Sequence, residues 1–153
     1  MKQIDKMSYL SNVIDEALRL SILTSWTVRI PLDEELVVCG HAIPAGTPII
    51  QAFGVVFQDE KFWPNPHKFN PKRFNDENKK KLPPLAFVPF GFAGKRSCYA
   101  AQYARYETSL FLSGIIRAFE VTLVDSTSTV ILVYGVVTIP KDEIFVRFNR
   151  RTN

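Results

Sequence analysis

A chain of 153 residues, 46% hydrophobic and 22% charged, holds enough apolar material for one globular core, or part of one, and too much for a disordered segment. Its net charge of +4 raises nucleic acid as a partner, but the aromatic residues do not interleave with the basic ones as a stacking surface requires, and "KKK" at 79 to 81 reads as a solvated loop. No stretch approaches the roughly 18 apolar residues of a transmembrane helix, and the opening "MKQIDKMSYL" lacks the apolar centre of a signal peptide, so neither an anchor nor an export signal is expected.

In chain order, residues 8 to 20, "SYLSNVIDEALRL", place Leu10, Val13, Ile14, Ala17 and Leu20 on one face at helical spacing, with Ser8 available as N-cap. A helix with a buried apolar stripe is predicted. Residues 35 to 51 change period, and "ELVVCGHAIPAGTPIIQ" offers short β runs divided by Gly40 and by the turn chemistry of Pro44 and Gly46, which predicts a hairpin or small sheet. A short helix is predicted over 52 to 58. Prolines at 64, 66 and 71 in "WPNPHKFNPKRF" exclude regular structure there and leave an ordered meander.

From Tyr99 to Phe119 the stripe Ala101, Ala104, Thr108, Leu112, Ile115 and Phe119 marks a long helix with one buried face. The tail holds two strand candidates, 129 to 139 and 144 to 149, predicted to pair across "PKDE". No internal repeat is visible.

Cysteine usage is sparse. Cys39 and Cys98 lie far apart in unlike contexts, which argues against a disulfide framework and for a reducing compartment, with a single bridge left open. Together with His41 and His67 they lack the paired spacing of structural zinc.

Cys98 stands at the predicted start of the long helix, where orphan backbone N–H groups, the helix dipole and the neighbouring Lys95 and Arg96 favour negative charge. A thiolate there serves as nucleophile or metal ligand. A nucleophile wants a nearby base, and both histidines lie in unrelated segments, so ligation fits better; a small cysteine buried at a helix start is the plain alternative. Glu16 and Arg19, three apart on the first helix, form by themselves an ordinary surface pair.

What changes the reading is the order of the pieces: "EALR", then Arg29, then "FNPKRF", then "PFGFAGKRSCYA". Together they resemble the cytochrome P-450 family of haem-thiolate monooxygenases over nearly the whole chain. Glu16 and Arg19 match the family's Glu-x-x-Arg pair, and Arg73 matches the third member that locks the meander to that helix. Gly94, Arg96 and Cys98 match the Gly-x-Arg-x-Cys core of the cysteine loop. The resemblance implies Cys98 as the axial iron ligand of haem b, Arg29 and Arg96 as partners of the propionates, and Phe90 and Gly94 as further contacts of the cofactor. A thiolate ligand of this kind favours O–O cleavage.

The implied fold is mixed α and β, mainly α: the C-terminal part of the P-450 fold, in the order Glu-x-x-Arg helix, small sheet, meander, cysteine loop, long helix and terminal hairpin. The chain departs from the family pattern at Gly91, where a phenylalanine is usual, at Ala100, where a glycine is usual, and after "EALRL", where a proline is usual. The segment "FGVVFQDEKFWPNPHKFNPKRFNDE" and the "GFAG" loop look most like the orphan animal family numbered twenty.

A complete member is much longer, so residues 1 to 153 resemble a single partial domain, roughly the C-terminal third. The oxygen-activating helix and most of the substrate pocket belong to the remainder, and the chain alone is not expected to be competent for oxygenation. The implied partners are an organic substrate, dioxygen and an acidic electron-donor reductase, with Lys72, Lys95 and Arg105 as its docking patch; nucleic acid is not among them. The implied location is intracellular, at the endoplasmic reticulum membrane for a complete member. A second reading, an inactive haem-binding or protein-interaction module that keeps the family's core, stays open.

Overall fold

The computed structural model describes residues 4–92, 94–127 and 129–152. Helix α1 spans Ser8–Ser21, and its N-cap is Met7 rather than Ser8, with no side-chain capping bond. Its spacing is helical as predicted, but the buried face is not the apolar stripe: Ala17 is exposed, Leu10, Val13 and Leu20 are half-buried, and the buried residues are Ile14, Asp15, Glu16 and Arg19. Charges occupy the deep side because each finds a partner there, so burial costs less than it would for an unpaired group.

The helix stops at Ile22, which adopts a left-handed conformation (φ 46°) while being only 2% exposed. A β-branched residue rarely adopts that conformation. Neighbours hold it: the Ile22 carbonyl accepts from Thr138 Oγ1 at 2.5 Å, and the Leu23 carbonyl accepts from the Thr138 N–H at 2.8 Å. Gly54 leaves room for the Ile22 side chain, since a Cβ there would sit 3.3 Å from Ile22 Cγ2.

Strand β1, Thr27–Arg29, pairs antiparallel with β4, Ile49–Gln51, and encloses the hairpin of β2, Leu36–Val38, and β3, His41–Ile43. The hairpin turn is Cys39-Gly40, both at positive φ. The short helix α2 follows as predicted, over Phe53–Gln58.

The meander folds as turns and a 3₁₀ turn over Pro71–Phe74, capped by the Asn70 side chain, followed by the single-turn helix α3, Asp76–Lys79, capped by Asn75. Its core is aromatic. Trp63, Phe74 and Ala86 are buried together with Phe62, Leu82 and Phe87 against them, and the Phe74 and Phe87 rings lie 4.6 Å apart.

The long helix α4 runs over Ala101–Ala118, two residues shorter at its start than predicted, so Cys98 precedes the helix rather than opening it. Ser109 is its buried residue; Ala101, Ala104, Leu112 and Ile115 of the predicted stripe are half-buried and Thr108 is exposed. The tail differs from expectation. The chain turns directly from α4 into β5, Phe119–Leu123, which pairs in full register with β8, Val146–Arg150. Between them β6, Leu132–Val133, pairs with β7, Ile139–Pro140. The two predicted tail strands therefore do not pair with each other. The five-residue register of β5 with β8, sealed by the Phe119–Phe148 ring contact at 5.7 Å, outweighs a local hairpin across "PKDE".

Candidate functional site

Two carboxylates side by side on α1 organise the molecule, and both are wholly buried. Glu16 accepts from Arg19 Nε at 2.8 Å and Nη2 at 2.9 Å, from Arg73 Nε at 3.3 Å, and from the Asn70 backbone N–H at 2.9 Å. Arg19 also donates from Nη1 to the carbonyl of Phe57 (2.8 Å) and from Nη2 to that of Pro66 (2.6 Å), and its guanidinium lies 5.2 Å from the centre of the Trp63 ring. Arg73 donates to the carbonyls of Asn65 and Lys68. Glu16, Arg19 and Arg73 are thus one cluster that ties α1 to α2 and to the meander, with guanidinium donors matched to carboxylate and carbonyl acceptors.

Asp15, facing the other way, holds Lys79 Nζ at 2.8 Å and the Arg105 guanidinium. The sequence reading passed over this residue. Its only signal was its place beside Glu16, since a lone aspartate on a helix reads as solvated.

The described residues of the cysteine loop, between Pro89 and Cys98, are held by turn hydrogen bonds: the Gly91 N–H donates to the Val88 carbonyl (2.9 Å), that of Gly94 to Phe92 (3.0 Å) and that of Ser97 to Gly94 (3.0 Å). Gly91 (φ +80°) and Gly94 (φ +49°) occupy left-handed positions that suit glycine. The loop closes on itself where the Cys98 N–H donates to the Phe90 carbonyl at 2.9 Å. Phe92 packs edge-on against Phe53 of α2 at 6.0 Å, and the Phe90 ring lies beneath the Arg105 guanidinium at 5.3 Å.

Cys98 is exposed and free, as is Cys39. Arg96 is exposed and, among the described residues, its side chain makes no hydrogen bond or ion pair; Lys95 and Lys72 are exposed likewise. Arg29 is half-buried and curls onto its own strand, donating to Thr27 Oγ1 and the Val28 carbonyl; among the described residues no hydrogen bond joins it to the cysteine loop. Arg105 is not a free docking cation, because its guanidinium is committed to Asp15 and Phe90.

Among the described residues no group of three or more His, Cys, Asp or Glu side chains converges on one point. A metal held here through Cys98 must bring its other donors with it. That donor set fits haem, whose porphyrin supplies four nitrogens to the iron and leaves an axial position for one thiolate.

Residues 1–147 match the cytochrome P450 family. The chain is 30% identical over 150 residues to human cytochrome P450 20A1, covering 98% of this chain and 31% of that protein. It is 37% identical over 119 residues to the beta-amyrin 11-oxidase of Glycyrrhiza uralensis, covering 78% and 23%. The mitochondrial sterol 26-hydroxylase of Rattus norvegicus is 32% identical over 154 residues, with 98% and 29% covered. The chain therefore spans about a quarter to a third of the length of the curated relatives it matches.

Among solved structures, a cytochrome P450 (CYP102L1) superposes with a TM-score of 0.87 at 27% identity, covering 98% of this chain and 33% of the other. The haem domain of cytochrome P450DA superposes equally well, at 0.87, with 23% identity and coverage of 99% and 33%, which bears on the fold alone. The mixed α and β architecture expected of this part of a P-450 is the one observed. No helix among the described residues is long and apolar enough to cross a membrane. The match over residues 1–147 and the shared fold lead to one conclusion: this chain belongs to the cytochrome P450 family.

Proposed function

We propose that residues 1 to 153 form one partial domain, the cysteine-ligand portion of a haem-thiolate monooxygenase, with Cys98 as the axial ligand of haem b. The observation that carries this reading is an exposed, free Cys98 thiol at the end of a loop whose own hydrogen bond, Cys98 N–H to the Phe90 carbonyl, holds the cysteine backbone in place. A ligand atom on a preorganised backbone keeps its geometry without a further ordering cost.

Around Cys98 the residues divide the work. Arg96 and Arg29 suit propionates, because guanidinium forks match carboxylates and neither arginine has an acidic partner among the described residues. Gly94 supplies a left-handed turn residue at open backbone, where a Cβ would meet nothing within 4 Å, and Phe90 supplies the carbonyl that holds the ligand. Glu16, Arg19 and Arg73 keep the meander against α1.

When bound, haem with a thiolate ligand supplies the activation of dioxygen for oxidation of an organic substrate. Relatives named as an 11-oxidase and a 26-hydroxylase support that reaction class. An acidic reductase is the electron donor in this reading, and exposed Lys95 and Lys72 are the cations open to it. The chain spans about a third of the family members it matches, and the oxygenation proposed here is that of a member of full length.

The test is a haem titration at saturating haem, followed by the carbon monoxide difference spectrum after reduction, for the chain and for Cys98→Ala. A thiolate-type red-shifted band that disappears in the variant is expected. The same band in both proteins overturns Cys98 as ligand, and no haem uptake by either favours an interaction module.

A further inference from the structure

We propose that Asp15 is a positioning residue for the cysteine loop, acting on Cys98 through Arg105 and Phe90; its bearing on the cofactor rests on the reading of Cys98 as the iron ligand. Asp15 is wholly buried on α1, an element that contributes nothing to the loop itself. A carboxylate at that depth requires partners, and each of its oxygens has one: Lys79 from α3 on Oδ2 and Arg105 from α4 on Oδ1.

The two cations differ in what they reach. Lys79 is 46% exposed, and its ammonium turns toward Phe74 of the meander at 5.8 Å. Arg105 carries a planar guanidinium, which accepts an in-plane ion pair and an aromatic face at the same time. It uses both, with Asp15 at its edge and the Phe90 ring 5.3 Å from its centre. Its backbone is held as well, because Ser109 Oγ donates to the Arg105 carbonyl at 2.7 Å.

Phe90 is the residue whose carbonyl receives the Cys98 N–H at 2.9 Å. A continuous path of contacts therefore runs from a buried point on α1 to the amide of the cysteine. Without the Asp15 charge only the aromatic contact is left to hold the guanidinium over Phe90 against its hydration in water. The Phe90 end of the loop then loosens, and the hydrogen bond that closes the loop opens more often.

The deciding experiment is residue-level amide exchange by NMR on the full chain without haem, for Asp15→Asn, Arg105→Met and the double variant. The amides of Thr122 and Arg147, which face each other at a hydrogen-bonded position of the β5 and β8 ladder, serve as an internal reference. Exchange of the Cys98 amide is expected to rise about tenfold in each single variant, and no further in the double, with the reference amides unchanged. Arg105→Lys, which keeps the charge but not the planar face, is expected to give an intermediate rise and, being a mild change at a part-exposed residue, guards against loss of folding in the others. An unchanged Cys98 amide, or a rise equalled at the reference amides, overturns the proposal. A second arm compares the thiolate-type band of haem-loaded Asp15→Asn with that of the unmodified chain at equal haem uptake, where a smaller band is expected. If Cys98→Ala leaves the haem spectrum unaltered, the ligand reading fails, and the haem-free exchange result still decides the positioning role.

Discussion

Glu16 and Arg19 meet through two hydrogen bonds of 2.8 and 2.9 Å, with both side chains at 0% exposure. Three residues apart on a surface helix, such a pair is worth a few tenths of a kcal/mol. Here solvent is absent, and Arg19 also satisfies two carbonyls from distant segments. Arg19→Ala leaves the Glu16 charge buried with weaker compensation and is expected to cost about 3–5 kcal/mol in reversible denaturation. Arg19→Lys does not restore it, because an ammonium cannot reproduce the bidentate fork. A loss below about 1 kcal/mol for Arg19→Ala would sink this account of the cluster.

Trp63 offers a different test, because its indole nitrogen is buried with no hydrogen-bond partner among the described residues while its ring packs against Phe74 and Phe87. Trp63→Ala empties the centre of the meander core and is expected to cost about 3–5 kcal/mol. Trp63→Phe gives up volume but no hydrogen bond, and it also removes an unsatisfied donor, so a cost of about 1–2 kcal/mol is expected. Equal losses in thermal or urea unfolding would show that the N–H matters and the ring contact does not.

Of the expected docking patch, Lys95 and Lys72 remain as exposed cations for an acidic electron donor once Arg105 is assigned to Asp15. Charge reversal at both in the haem-loaded protein is expected to slow association with an acidic flavoprotein reductase about tenfold at low ionic strength, with the difference shrinking as salt is added. Stopped-flow reduction measures it. Rates and salt dependence equal to those of the unmodified protein argue against docking on this face.

The accessible surface is 11753 Å², whereas a folded monomer of 17.4 kDa exposes about 7,900 Å² by the usual scaling with mass. Large apolar side chains lie on that surface, Phe111, Leu110 and Ile116 of α4 and Phe92 of the cysteine loop among them. Surfaces of this kind associate. Sedimentation of the chain is expected to show concentration-dependent association, and haem titration weak uptake, because the exposed surface at Cys98 and Arg96 buries little of a large apolar cofactor. A stable monomer that takes up haem stoichiometrically with submicromolar affinity would show that residues 1 to 153 are a domain in their own right.

The helical spacing of 8 to 20 and 99 to 119, the turn residues around Gly40 and the prolines of the meander announce their local structure, to within a residue or two at the helix ends, because backbone preference and apolar period act over a few residues. The family, too, is legible, since "EALR", "FNPKRF" and "GKRSC" carry their side-chain types in a recognisable order. What the sequence does not determine is which partner a charge or a strand will choose across the fold. Asp15 and Arg105, 90 residues apart, find each other because two helices bring the guanidinium to a carboxylate that is itself wholly buried. Likewise β5 takes β8 rather than leaving it to a local hairpin. Those choices depend on desolvation and on long-range register, quantities that exist only when the chain is folded and distant segments compete for the same space.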